Sequence, residues 1–248
     1  MRIAIAGGTG LVGTMLVEIA VAAGHQVVVL TRSQGIDLVS AGGLAEALDG
    51  VTAVVDVTNV TTLSTKRSTA FFAAVTANLL AAERAAGVRH HVALSIVGVD
   101  RAPYGYYAGK RAQERLIEAG PVPWTILRAT QFHEMAAIAY ESARFGPLHL
   151  APRMRVRPVA AREVAQHLVD LTEGAALGRV VEMAGPHEES LVEMVRAYAA
   201  AIGARTWIPA VSLPGRLGRA QRDGALLPGA VAVLGHQAFA DWVASLSR

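Results

Sequence analysis

Apolar residues in the first half of the chain come in short blocks separated by polar or glycine-rich breaks. Ile3-Ala-Ile-Ala6 is an apolar run of strand length, and after a group of glycines an apolar, helix-like stretch reaches Ala23. Gln26-Val-Val-Val-Leu-Thr31 is rich in β-branched residues and predicts a second strand. A loop over 32–36, a short Asp37-Leu-Val segment and a small helix over 44–48 lead to a third strand over 53–58. Residues 71–86 carry apolar positions at helical spacing; 91–97 then predicts a strand, 106–118 a helix and 124–128 another strand. Strand and helix alternate, which is the mark of a parallel sheet covered on both faces. Because parallel connections are right-handed crossovers, this order predicts an α/β, doubly wound sheet.

From about His133 the pattern loosens. Residues 135–143, 162–172 and 189–202 read as helices and 179–183 as a strand, and the remainder is broken by Pro209, Pro214, Pro228 and several glycines. The natural division is a regular part over 1–132 and a smaller, irregular, substrate-covering part over 133–248. With no flexible linker between them, one folding unit is expected.

The chemistry starts at Gly7-Gly-Thr-Gly-Leu-Val-Gly13, between the first strand and the first helix. Gly8, Gly10 and Gly13 fit G-x-G-x-x-G, while Gly7, Gly10 and Gly13 equally fit G-x-x-G-x-x-G. Without Cβ atoms the turn can close tightly and approach a diphosphate, and the helix start points free N–H groups at the anion. In this context the turn predicts dinucleotide binding. At the end of the second strand the expected cofactor-selecting position holds Thr31-Arg32-Ser33, with no carboxylate to accept from a ribose hydroxyl. A guanidinium there suits a 2′-phosphate, so NADP(H) is favoured over NAD(H), against the plainer reading of a solvated arginine.

Tyr106 and Lys110 stand four apart at the start of a helix, on one face. A cation beside a phenol lowers its pKa toward working pH, which suits proton transfer in carbonyl reduction. The chain has two lysines, Lys66 and Lys110, among many arginines. Ser95, at the end of the preceding strand, is placed to hydrogen-bond a carbonyl oxygen. The competing readings are plain ones: tyrosines packing a helix on the sheet, and a strand-end serine that merely satisfies backbone. Gln131, Phe132 and His133, just past a strand end, are weak substrate candidates, and His133 reads more readily as structural. His90, His91 and His187 read as loop or surface groups.

Taken together, the glycine turn, Leu94-Ser-Ile-Val-Gly98, Tyr106-Tyr-Ala-Gly-Lys110 and Trp124-Thr-Ile-Leu-Arg128 resemble the short-chain dehydrogenase/reductase superfamily, and within it the atypical branch of NmrA-like NAD(P)H-binding proteins. The resemblance covers residues 1 to about 133, with a weaker echo at Pro158–Ala165. It implies a Rossmann fold with Gly7, Thr9, Gly10, Leu11 and Val12 lining the pyrophosphate. Arg32 would face the 2′-phosphate and Asp37 the adenine, with Thr58 and Asn59 flanking the adenosine ribose and the nicotinamide side. Ser95, Tyr106 and Lys110 would form the catalytic set, Lys110 also holding the nicotinamide ribose. This chain departs from its relatives in the short interval from Ser95 to Tyr106, in Arg128-Ala-Thr130 where many have Arg-Pro-Gly, and in an abbreviated stretch between Arg32 and Leu44.

Composition narrows the alternatives. Without cysteine, disulfides and thiolate catalysis are excluded. No G-x-S-x-G elbow occurs, and no His, Asp and Glu grouping has metal-ligand spacing. A net charge of +3 gives no case for nucleic acid; the basic stretches 153–157 and 216–222 read as solvated faces. No apolar run is long enough for a membrane span, and a cytoplasmic location is expected. The leading expectation is an NADPH-dependent reductase of a small, largely apolar carbonyl or quinone. A non-catalytic redox sensor with a protein partner comes second and a nucleotide-sugar epimerase third, while direct DNA binding ranks last.

Overall fold

The computed structural model describes residues 1–145 and 148–246. They form two compact units: one of residues 1–99, 103–128 and 161–181, the other of 100–102, 129–160 and the chain from 182 onward.

In the first unit, β1 (Arg2–Ala6), β2 (Gln26–Leu30), β3 (Ala53–Asp56), β4 (His90–Ile96) and β5 (Trp124–Ala129) form a sheet in the order β2-β1-β3-β4-β5. The pairs β1–β2, β1–β3 and β3–β4 are parallel, with Ile3 opposite Val27 on one side and Ala53 on the other. The order reverses direction between β2 and β3, so right-handed crossovers send the connecting helices to opposite faces. Accordingly α1 (Leu11–Ala22) packs against a helix at 161–173, while α2 (Leu44–Ala47), α3 (Thr65–Ala86) and α4 (Tyr106–Ala119) pack together. Ligands bind such sheets at the carboxyl ends of the strands where the order reverses, which here lies between β1 and β3.

The strands are mostly apolar because both faces are covered, with buried polar groups near their ends, such as Asp56, His90 and Arg128. One core joins Ala4, Ala6 and Val54 of the sheet to Leu44 of α2 and to Val75 and Leu79 of α3. Truncating a fully buried leucine such as Leu79 would cost about 2–5 kcal/mol. The abbreviated segment after β2 contributes no strand: Asp37 makes one antiparallel bridge to Gly42, and left-handed turns at Gly35 and Gly43 bound it. Helix α3 begins six residues earlier than its apolar period suggests, because the Ser64 hydroxyl caps its first turn by accepting from Arg67 N.

The expected division at residue 132 is not the one that the contacts draw. The helix α6 (Ala161–Glu173), reached after α5 (Met135–Ser142), buries Val164, Ala165, Leu168 and Val169 and belongs to the first unit, against α1 and β4. Its strongly one-sided apolar face is what returns the chain there. The first unit also gains a two-residue strand, Gly178–Arg179, parallel to β5. In the second unit Met183–Ala184 pairs in parallel with Val233–Leu234, so the single strand expected over 179–183 is two short ones. That unit holds α5, α7 (Leu191–Ala201), α8 (Gly215–Arg222) and α9 (Phe239–Ser245).

Candidate functional site

The glycines of the first turn do different work. Gly7 has φ of +84°, and a Cβ on it would lie 2.8 Å from Val57 O and 2.9 Å from Thr58 N. A Cβ on Gly8 would lie 2.6 Å from Val29 Cγ1, and one on Gly13 would lie 2.1 Å from Gly7 O. These three are glycines because the protein's own atoms crowd them. Gly10 is the exception. It is exposed, and a Cβ there would meet only Gly7 O, at 3.4 Å. Gly10 is also the N-cap of α1, with no side-chain cap and no acidic residue in the first turn. The amides at the start of α1 therefore lack a side-chain acceptor, and the dipole's positive end is uncompensated. Thr9 and Leu11 are exposed beside it and Val12 is buried. Such a turn fits a diphosphate.

At the end of β2, Arg32 opens a short turn of three-residue helix and is exposed, and its guanidinium makes no hydrogen bond among the described residues. Asp37 spends its carboxylate locally, accepting from Val39 N at 3.0 Å and Ser40 Oγ at 3.0 Å. These bonds, that from Val39 first, hold its carboxyl below the ordinary range. Asn59 is exposed and accepts from Val60 N, whereas Thr58 is buried with its hydroxyl turned inward.

Lys110 is 3% exposed, and its ammonium is surrounded. It donates to Leu94 O at 2.9 Å, Gln113 Oε1 at 2.9 Å and Thr58 O at 3.3 Å, and lies 4.5 Å above the Phe72 ring. Gln113 in turn donates to Asp56 Oδ2 at 2.8 Å, while Asp56 Oδ1 accepts from Thr58 N at 2.9 Å and Thr58 Oγ1 at 2.6 Å. Lys110, Gln113, Asp56 and Thr58 thus close a hydrogen-bonded ring at the ends of β3 and β4. Burial pulls Lys110 down to about 8, with Asp56 and Glu114 opposing the fall.

Tyr106 shares the Lys110 face of α4, its ring edge-on to Phe72 and Tyr107. The expected lowering of its phenol is not found. Burial pushes Tyr106 above its ordinary value, and Tyr107 and Asp56 push the same way. Ser95, 4% exposed, donates to Glu114 Oε1 at 2.5 Å. Glu114 also accepts from Arg128 Nε at 2.8 Å and Arg128 Nη2 at 2.5 Å. Burial alone would raise Glu114; the Arg128 and Ser95 bonds turn the shift downward.

The weak substrate candidates lie in the second unit. Gln131 O accepts from Val159 N at 2.9 Å, and Phe132 is half-buried. His133 is wholly buried, with Nε2 3.2 Å from Gln237 O and its ring against Phe239 and Trp242, a structural setting. His90 and His91 are not surface groups. Both open β4 and are buried, His90 against Thr125 Oγ1 at 2.8 Å and His91 against Glu83 at 2.8 Å, because the chain enters the sheet one residue earlier than the apolar run. His187 is exposed. The basic stretches 153–157 and 216–222 both send arginines into one cleft of about 590 Å³ within the second unit, where Arg155 pairs with Glu188 and Arg196 with Glu193. Among the described residues no group of three or more His, Asp or Glu could hold a metal, and no helix is long and apolar enough to cross a membrane.

Asp56, Gln113 and Glu114 escaped the sequence reading. A signal existed for the first: Asp56 is the lone charge in an otherwise apolar strand buried on both faces, a placement that is costly unless paired.

Residues 7–174 match the model of a family described as NAD(P)H-binding. The fold is similar to that of MoeE5 in complex with UDP-glucuronic acid and NAD (17% identity, 98% of this chain and 97% of that one, TM-score 0.76). It is also similar to the NADPH-dependent quinone oxidoreductase QOR2 of Escherichia coli complexed with NADPH (18%, 99% and 100%, TM-score 0.72). A third likeness is to the triphenylmethane reductase of Citrobacter sp. complexed with NADP(H) (16%, 100% and 100%, TM-score 0.72). None of the curated protein sequences compared with the chain matches it.

Proposed function

We propose that this chain, which belongs to the NAD(P)H-binding family of atypical short-chain dehydrogenases/reductases, is an NADPH-dependent oxidoreductase acting on a small, largely apolar carbonyl or quinone. The observation that carries this reading is the placement of Tyr106 and Lys110 on one face of α4, with Lys110 bonded to the Thr58 carbonyl just past β3 and to the Leu94 carbonyl of β4. The cofactor, when bound, supplies the hydride. The amides at Gly10 and the start of α1 hold its diphosphate, flanked by Gly7, Thr9, Leu11, Val12 and Gly13. Arg32 would meet the 2′-phosphate, and Asp37, Thr58 and Asn59 would line the adenosine side. Lys110 would hold the nicotinamide ribose by releasing one of its three bonds, the longest being that to Thr58 O at 3.3 Å. Tyr106 would donate its phenolic proton to the substrate's carbonyl oxygen; a phenol pushed up by burial carries that proton at neutral pH. Ser95 would orient the substrate by turning its hydroxyl proton from Glu114 to the carbonyl oxygen.

Purified protein with NADPH is expected to reduce at least one member of a broad carbonyl and quinone panel, and Tyr106→Phe to abolish that turnover. No turnover of any member, or turnover intact in Tyr106→Phe, would sink the reading.

One observation favours a second reading. The Lys110 ammonium is spent on carbonyls and Gln113, and the Ser95 donor on Glu114, so neither polarises Tyr106. A non-catalytic NADP(H) sensor would have these features, and would bind NADPH tightly without consuming it. A nucleotide-sugar epimerase, using the same tyrosine and lysine, ranks third, in keeping with the UDP-glucuronic acid named for MoeE5.

A further inference from the structure

Lys110 is one of two lysines in the chain and is almost wholly buried, a position in which an ammonium is stable only if its charge is met. Two of its three acceptors are backbone carbonyls, which any strand end offers. The third, Gln113 Oε1, is different, because the amide that presents it is itself fixed from behind. Gln113 Nε2 donates to Asp56 Oδ2, which settles which end of the amide faces the lysine: with its nitrogen on a carboxylate, the oxygen must face the ammonium. The other carboxylate oxygen is locked by Thr58 N and Thr58 Oγ1, and the carbonyl of that same Thr58 returns to Lys110. Asp56 and Gln113 are both wholly buried, so neither can be replaced by solvent.

We propose that Asp56, acting through the oriented Gln113 amide and through Thr58, is the positioning residue that keeps the Lys110 ammonium in place and charged. Asp56 touches neither the lysine nor any reacting atom. Its role is to turn a neutral amide into a directed acceptor and to supply the negative charge that burial would otherwise demand from bulk water. Its relevance to catalysis rests on the reading of Lys110 as the cofactor-ribose ligand, but the device itself does not.

The titratable and charged groups around Lys110 come from several neighbouring elements. Asp56 stands on β3, the His91–Glu83 pair on β4 and α3, Glu114 with Tyr106 and Tyr107 on α4 itself, and Arg128 on β5 behind Glu114. Glu114 is already matched by Arg128 and by the Ser95 hydroxyl. Asp56 is therefore the carboxylate whose hydrogen bonds lead to the lysine.

The two-lysine composition makes the test direct. Protein grown with [13Cε]lysine gives two signals, and Lys66→Arg, at an exposed position on α3, assigns the remaining one to Lys110. Titrated without cofactor, Lys110 is expected to have its midpoint near 8. Asp56→Asn should lower that midpoint by about one pH unit or more, and Gln113→Leu should lower it as well. A midpoint unmoved in Asp56→Asn would overturn the proposal; should that variant fail to fold, an unmoved midpoint in Gln113→Leu would do so. Because the signal is read without cofactor, a midpoint that falls as expected in protein that consumes no NADPH upholds Asp56 and counts against the reductase reading alone.

Discussion

Gly109 on α4 sits so close to Ser68 on α3 that a Cβ built on it would lie 2.0 Å from the serine oxygen and 2.6 Å from Phe72 Cδ2. Ser68 donates at the same point to Tyr106 O at 2.9 Å, so the helix bearing Tyr106 and Lys110 is pinned by a contact that tolerates no side chain. Gly109→Ala forces the two helices apart. The expected cost is about 1–3 kcal/mol of stability, read as a lower urea midpoint at an unchanged slope. NADPH binding should weaken with it, since Lys110 lies one residue along the same helix.

The glycines of the first turn separate folding from binding. Gly10→Ala brings its Cβ only into ordinary contact with Gly7 O, 3.4 Å away, at a φ of −82°, and stability should stay within about 0.5 kcal/mol of the parent. NADPH affinity, measured by calorimetry, should nonetheless fall about tenfold as the methyl group meets the diphosphate. Gly13→Ala should do the reverse in order: its Cβ meets Gly7 O, so unfolding at lower denaturant comes first and loss of binding follows from it.

Arg32 is the test of cofactor choice. Arg32→Ala should raise the Kd for NADPH about tenfold to a hundredfold, the worth of a charge-assisted bond to phosphate, and leave that for NADH nearly unchanged. Equal loss for both coenzymes would place the guanidinium elsewhere.

His91 and Glu83 form a fully buried pair between β4 and α3, 2.8 Å apart. Burial alone would pull the imidazolium down, but the Glu83 charge and hydrogen bond, with Asp56 beyond, hold it above the ordinary 6.5. A raised folded value means that the folded state keeps a proton that the unfolded chain has lost. The stabilisation is therefore complete below 6.5 and disappears as the pH rises through the raised value, at about 1.4 kcal/mol for each pH unit of elevation. Urea midpoints of the parent should decline across that window, and those of His91→Gln should not follow.

Much of the fold was legible because local rules and global architecture agree here. Five β-branched or apolar blocks alternating with helical periods leave a parallel sheet as the only way to bury both. The glycine turn was legible for the same reason: Gly7 and Gly13 are demanded by backbone contacts of a strand–turn–helix whatever else the protein does. Boundaries drifted where a cap, not an apolar period, sets the end, as at Ser64 before α3. That the helix α6 lies with the first unit is not legible from sequence, because its amphipathic face says only that it packs, not upon what.

The interior of the site followed a different logic. Sequence alone determined that Tyr106 and Lys110 share a helical face, since that follows from 3.6 residues per turn, and that a glycine turn joins the first strand to the first helix. Only the tertiary structure decided what their charges meet. Asp56 and Gln113 stand 57 residues apart in the chain, and Ser95 and Glu114 stand 19 apart. Hydrogen bonds form between atoms within about 3 Å of each other, and which polar atoms come that close is fixed by strand order and helix packing, quantities that no local pattern of residues contains.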